Sequence, residues 1–321
     1  MSKNPVTIIN DKWIVSNRGK RNKVNPKKPY GWLLEKERTV SGKIEETAII
    51  FLTNKECSFK CLMCDLWKNT TEKSVSVGSI PDQIEWALSK MPKTKCLKLY
   101  NSGSFFDEKA IPESDYKRIA KLVSDFETVI VESHPKLINE KCLRFKNILK
   151  PELQVALGLE TVHPEVLKKL NKAMTLDDFK RAVNFLSKNK IKTRAFILLR
   201  PPFLSESEGV YWAKKSIDFA VSLGVECSTI IPVRSGNGSM EKLIKKGDFK
   251  MPNIHSLESV IEYGINLNAG RIFADVWDLA LFSNCKKCIE ERTNRLTSIN
   301  LSQKIISRIK CTCNSNKQKA V

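Results

Sequence analysis

Short apolar runs alternate with longer stretches of three-to-four-residue periodicity along most of the chain. Strand-like runs fall at about 47–53, 96–100, 128–131, 153–159, 192–199 and 227–232. Between them, Ile84, Leu88 and Met91 share one face of a helix over 81–91, with Pro81 suited to its first turn. Ile119, Leu122, Val123 and Phe126 do the same over 113–126. Shorter helices are predicted at 139–148 and 164–171. Another spans 176–188, with Thr175 and Asp178 spaced as an N-cap. A long helix over 208–223 stops at Gly224, a residue suited to the left-handed position after a helix.

Six βα units in sequence predict an α/β fold with a parallel sheet and outer helices. Six units are too few to close an eight-unit barrel, so the expectation is an open, partial, TIM-like (βα)6 barrel over 47–268. Residues 1–46, interrupted by Pro26, Pro29 and Gly31, read as a basic, partly irregular N-terminal extension. Residues 269–321 read as a small cysteine-containing C-terminal region.

In such a barrel the functional groups collect at the C-terminal ends of the strands. The first strand leads into Cys57-Ser58-Phe59-Lys60-Cys61-Leu62-Met63-Cys64, a C-x3-C-x2-C loop. Three thiolates from one loop hold three irons of a cubane and leave the fourth open to a ligand, whereas iron–sulfur clusters normally have four cysteines. The alternative is zinc or structural thiols, although zinc knuckles usually present paired C-x2-C motifs. Other strand ends carry Asn101-Ser102-Gly103-Ser104, Glu132-Ser133-His134, Glu160-Thr161, Arg200-Pro201-Pro202 and 234–238. Lys172-Ala173-Met174-Thr175 follows the fourth strand after a short helix. A second cysteine group, Cys285-x2-Cys288 with Cys311-x-Cys313, suits zinc, a second iron–sulfur cluster or unliganded thiols. Cys96, Cys142 and Cys227 read as core thiols, and His134, His163 and His255 form no ligand pattern.

Charge adds a polyanionic partner to this picture. The chain carries 55 basic and 35 acidic side chains, a formal net charge of +20. Lys12, Arg18, Lys20, Arg21, Lys23, Lys27 and Lys28 occur without an intervening acid, and Trp13, Tyr30 and Trp32 nearby are candidates to stack on bases. A solvated lysine-rich surface is the competing reading. No apolar run approaches a membrane span, and the N-terminus lacks the apolar core of a signal peptide. A reducing cytoplasm is therefore expected, with the ten cysteines as metal ligands or thiols.

The cysteine spacing, with Met63 before the last cysteine, resembles the cluster loop of the radical S-adenosylmethionine (SAM) superfamily. The segments 57–67, 99–105, 158–161 and 273–279 resemble the radical SAM subunits of archaeosine synthases, over about residues 47–300. The resemblance implies a [4Fe-4S] cluster on Cys57, Cys61 and Cys64. SAM would be chelated on the open iron and an electron donor would supply one electron, giving a 5′-deoxyadenosyl radical. It also places Asn101, Ser102 and Gly103 at the SAM amino group, although only Gly103 matches the family's Gly-Gly-Glu-like segment. Glu132 and Ser133 would meet the ribose hydroxyls, and Glu160 would lie near SAM. Lys172 or Arg200 would face the SAM carboxylate, Lys172 standing where relatives carry the arginine of an Arg-Gly-x-Thr segment. The implied reaction is that of a tRNA-modifying lyase. Working with a lysine-transferring partner subunit, such an enzyme abstracts hydrogen from a lysine adduct of 7-cyano-7-deazaguanine in the D-arm. Carbon–nitrogen cleavage then leaves archaeosine. Two other readings stand beside it. One is another radical SAM tRNA-modifying enzyme, such as a methylthiotransferase, which an auxiliary cluster at the C-terminal cysteines would favour. The other is a non-catalytic, zinc-stabilised RNA-binding protein.

Overall fold

The computed structural model describes residues 8–313. Its sheet has eight strands in the order β1 to β8: Gly31–Arg38, Ile44–Phe51, Cys96–Tyr100, Thr128–Ser133, Glu152–Glu160, Lys192–Leu199, Cys227–Pro232 and Arg271–Ala274. β1 is antiparallel to β2, and every later pairing is parallel. The helices are α1 (Asp11–Ser16), α2 (Ser79–Leu88), α3 (Tyr116–Leu122), α4 (Glu140–Ile148), α5 (Pro164–Lys169), α6 (Leu176–Lys188), α7 (Glu206–Ser222), α8 (Ser239–Lys246), α9 (Ile254–Asn266) and α10 (Ile289–Ser302). All six expected strands are present. The Thr175–Asp178 capping box starts α6, and Gly224 is left-handed just after α7.

Two strands go beyond the six expected, at the two ends of the sheet. β1 lies inside the stretch read as an irregular extension. Its second half, Glu35-Lys36-Glu37-Arg38, looks like a solvated charge run. In the fold, Glu35 and Glu37 both pair with Lys98 of β3, and Glu37 also pairs with Arg194 of β6. Arg271 of β8 joins the group through Glu37 at 3.6 Å and also pairs with Glu226 at 2.8 Å. These buried charges offset one another, which is the condition for taking them out of water at tolerable cost. On the other face of the same strands, Leu97, Leu99, Val129, Val131, Val155, Leu157, Ala195 and Ile197 pack in the main apolar core with the helices. Each fully buried aliphatic side chain contributes roughly 2 kcal/mol.

β8 escapes the sequence pattern because four residues carry little periodicity. Its open edge is covered by side chains instead of a ninth strand. Gln303 accepts from Ile272 N at 2.7 Å and donates to Ile272 O at 2.9 Å. Asn300 does the same for Ala274 at 2.8 and 2.9 Å. Two amide side chains thereby satisfy backbone groups that would otherwise face solvent or another chain. Among the described residues, no helix is long and apolar enough to cross a membrane.

Candidate active site

The cysteine loop leaves the end of β2 and is held by the ends of several other strands. Leu62 N donates to Leu170 O at 2.9 Å, and Asn171 Nδ2 donates to Lys60 O at 2.8 Å. Asn237, beyond β7, donates to the carbonyls of Leu62 and Cys64 at 2.8 and 3.1 Å. The Phe59 ring lies flat on His134, with centroids 3.6 Å apart. His134 is fixed in turn: Nε2 meets Lys172 O at 2.8 Å, and Nδ1 accepts from Lys136 N at 3.2 Å. That pattern needs a neutral ring with its proton on Nε2. Burial and the nearby Lys172 charge hold its pKa down at about 3. His134 is thus a positioning group for the loop.

Gly103 touches the loop most closely. A Cβ built there would lie 3.2 Å from Cys57 Cβ, so the smallest residue lets the β3 end press against the first cysteine. The neighbouring Asn101 is fully buried, yet neither its Oδ1 nor its Nδ2 has a partner. Buried amides are rarely left unpaired, so this side chain is available to a bound group. Ser102 has φ of 53° and pairs with the Tyr30 hydroxyl at 2.9 Å.

Glu132 sits differently from the expected ribose contact. Its Oε1 accepts from Asn101 N at 2.7 Å and Gly103 N at 3.4 Å, so it shapes the β3 end. Burial raises its pKa to about 7, against the lowering pull of those amides. Ser133 is buried, and its hydroxyl reaches His134 O at 3.4 Å.

Glu160 and Lys172 come together as a buried ion pair at 2.6 Å. Gly158 makes room for it, since a Cβ there would stand 2.2 Å from Glu160 Oε1 and 2.5 Å from Lys172 Nζ. Burial works against the Lys172 charge, but Glu160 and the thiols of Cys61 and Cys57 outweigh it and raise the pKa to about 12. The lysine is therefore a fixed positive charge beside the cysteines. Arg200 is placed elsewhere. Its guanidinium donates to Glu206 at 2.5 Å, Met251 O at 2.9 Å and Leu204 O at 3.4 Å. The fork expected to meet a ligand carboxylate is occupied by Glu206 and fastens the loop after β6. Ser102, Glu160 and Arg200 all take left-handed φ values at strand ends. Such strain in non-glycine residues concentrates at functional sites.

The basic N-terminal arm also differs from expectation. Arg18 and Arg21 converge with Lys60 on Glu56, the residue before Cys57. Arg21 also donates to Trp67 O and Thr70, and the Arg18 guanidinium lies 4.8 Å from the Trp67 ring centre. Two of the seven basic residues are thus spent on clamping the loop. Tyr30 stacks on Phe51 at 5.6 Å and is withdrawn from base stacking; burial pushes its pKa up to about 12. Trp13 packs against the smaller apolar cluster around Ile14, whereas Trp32 stays 39% exposed. Glu56, Asn237 and the Phe59–His134 stack lie beyond what the sequence pattern reveals. Asn237 and His134 carry a signal only through their places in the polar segments at the ends of β7 and β4.

The two cysteine groups have different geometries. Burial pushes the Cys57 and Cys64 thiols up and holds Cys61 at about 12, so a ligated metal must displace their protons. Among the described residues, only Cys285, Cys288, Cys311 and Cys313 bring their ligand atoms within 4.8 Å of one another. Cys57, Cys61 and Cys64, with the Lys172 charge and the unpaired Asn101 amide beside them, fit a multi-iron cluster with a polar ligand.

Comparison with known proteins gives the same direction. The Radical SAM superfamily model matches residues 52–207, which include the cysteine loop and the ends of β3 to β6. An uncharacterized protein of Methanocaldococcus jannaschii is 26% identical across 92% of this chain and 87% of its own length. Archaeosine synthase subunit beta of Thermococcus kodakarensis is 26% identical over 70% of this chain and 74% of that protein. The subunit of the same name from Methanosarcina acetivorans is 27% identical over 79% and 77%.

Proposed function

The chain is a radical SAM enzyme, and we propose that it is the radical subunit of an archaeosine-forming system, acting on tRNA. The reaction is the lyase step on a lysine adduct of 7-cyano-7-deazaguanine in the D-arm. One observation carries the reading: Cys57, Cys61 and Cys64 sit at the C-terminal mouth of the half-barrel, inside the matched domain. They do so in a chain two of whose relatives are named archaeosine synthase subunit beta.

In this reading Cys57, Cys61 and Cys64 would hold a [4Fe-4S] cluster, which with SAM bound would supply one-electron radical chemistry, given an electron donor. Lys172 offsets the negative charge of the ligated thiolates and, with Glu160, forms a rigid polar wall beside them. Asn101 offers both a donor and an acceptor to the polar end of SAM. Glu132 keeps the β3 end in the shape that brings Gly103 against Cys57. Phe59, stacked on His134, shields one side of the loop from water. The exposed Lys12, Lys20, Lys23, Lys27 and Lys28 of the N-terminal arm supply contacts to the tRNA phosphates, and such contacts dominate nucleic-acid affinity. The target nucleotide must leave its stack to reach the mouth, and a lysine-transferring partner subunit supplies the adduct.

The test is 5′-deoxyadenosine formation by the anaerobically reconstituted, reduced protein with SAM and tRNA bearing the lysine adduct, against adduct-free tRNA. Adduct-dependent release supports the assignment. Slow release indifferent to the adduct moves the substrate elsewhere, and no release from protein with an intact cluster overturns the catalytic reading.

A further inference from the structure

The C-terminal cysteines stand apart from the loop at the barrel mouth. Cys285 and Cys288 follow β8, with Cys288 at the N-cap of α10; Cys311 and Cys313 return on the segment beyond that helix. The Sγ atoms of Cys285 and Cys311 are 3.7 Å apart, those of Cys288 and Cys313 are 3.5 Å apart, and all four lie within 4.8 Å.

Three arrangements compete for this geometry. A disulfide requires sulfurs about 2.05 Å apart, and separate disulfides give no reason for two pairs to converge on one point. A cubane puts each thiolate on its own iron, which spreads the sulfurs across the corners of the cluster. A single tetrahedral ion with metal–sulfur bonds of about 2.3 Å sets its sulfurs roughly 3.8 Å apart. Both sulfur pairs, at 3.7 and 3.5 Å, agree with the third.

The surroundings agree with it too. Four thiolates on a divalent ion leave excess negative charge, and a fully buried arginine answers it. Arg292 Nε donates to Cys288 Sγ at 3.2 Å, and its side chain also reaches Cys313. Glu258 on α9 holds Arg292 at 2.5 Å and Arg295 at 3.1 Å. The backbone N–H groups of Lys287 and Cys288 point at Cys285 Sγ, and that of Cys313 points at Cys311 Sγ. Donors of this kind orient metal-bound thiolates.

We propose that Cys285, Cys288, Cys311 and Cys313 together bind one zinc-type divalent ion, which acts as a structural clasp. Four protein ligands close the coordination sphere and leave no position for a substrate. The clasp ties the start of α10 to the segment that follows its end. Arg295 donates to Ile306 O and Ser307 O at 2.6 to 3.0 Å, and Arg308 pairs with Glu262 at 2.5 Å. α10 carries Asn300, just before the Gln303 that follows it, and these two residues cover the edge of β8. The ion therefore secures the last seam of the sheet, far along the chain from the cysteine loop.

Metal analysis of the full chain carrying Cys57→Ala, Cys61→Ala and Cys64→Ala isolates this centre. The expected result is about one zinc per chain with iron absent, and strong visible absorption of tetrahedral thiolate cobalt after cobalt exchange. Adding Cys285→Ser and Cys311→Ser should abolish metal binding and open Lys304, Arg308 and Lys310 to trypsin. Iron with acid-labile sulfide in the triple variant overturns the proposal. So does a metal-free protein, whether its four thiols alkylate directly or only after reduction. Should the serine variants fail to fold, the metal content and cobalt spectrum of the triple variant decide alone. Release of 5′-deoxyadenosine by the unaltered protein is read separately, so either proposal can fail without the other.

Discussion

Glu56→Gln is the most direct test of how the cysteine loop is held. The carboxylate of Glu56 meets Arg18 at 2.7 Å, Lys60 at 2.6 Å and the Arg21 guanidinium. Burial alone would raise its pKa from 4.5, but the bonds from Lys60, Arg18 and Arg21 outweigh burial and lower it to about 2. At about 1.4 kcal/mol per pH unit, that drop corresponds to roughly 3 kcal/mol. Arg21 is partly solvated, and screening brings the expected loss to about 2 kcal/mol. A loss of that size lowers Tm by roughly 3 °C in a chain of this length. The folded pKa is depressed, so the stabilisation is fully present above pH 4.5 and is lost as pH falls toward 2. The difference between the native protein and Glu56→Gln should therefore close over that window. Trypsin should also cut the variant faster after Arg18, Lys20 and Arg21, because the arm has lost its anchor. A variant with unchanged Tm at neutral pH and unchanged cleavage of the arm would refute the clamp.

Gly103→Ala places a methyl group 3.2 Å from Cys57 Cβ, a contact that must be relieved by moving the β3 end or the loop. Iron incorporation should fall several-fold while the thermal transition stays cooperative; unchanged iron content would show that the approach is not needed. His134, with its pKa held at about 3, should stay neutral in an NMR titration from pH 7 to about 4. Its stabilisation is present above the unfolded value of 6.5 and is lost as pH falls toward 3. Protonation of His134 near 6.5 in the folded protein would remove its assigned role in fixing Phe59.

The βα succession was legible because apolar strand runs and 3.6-residue periodicity act locally. The Thr175–Asp178 capping box and the glycine after α7 are likewise short-range signals, and both took the conformations their residue types favour. β1 was hidden because its charges are satisfied by residues 61 to 157 positions away, at Lys98 and Arg194. No window of sequence contains that pairing. Arg200 shows the converse error: a strand-end arginine is chemically suited to a carboxylate, and the nearest one, Glu206, took it. Glu160 and Lys172 each suit a separate contact by residue type, yet eleven residues of intervening chain fold back to make them one ion pair.

The two cysteine groups show where spacing stops being informative. C-x3-C-x2-C and C-x2-C…C-x-C both offer soft ligands, and residue type alone permits iron or zinc at either. What separates them is what surrounds the sulfurs once the chain has folded. The loop after β2 wraps around an open mouth, with Lys172, Asn101 and Gly103 converging on it from other strands. Its thiols face a space that several elements share, and that is the arrangement a reactive centre with an open iron requires. The C-terminal group instead folds its two short motifs onto each other, with Arg292 filling the nearest charged position. Nothing is left open there for chemistry.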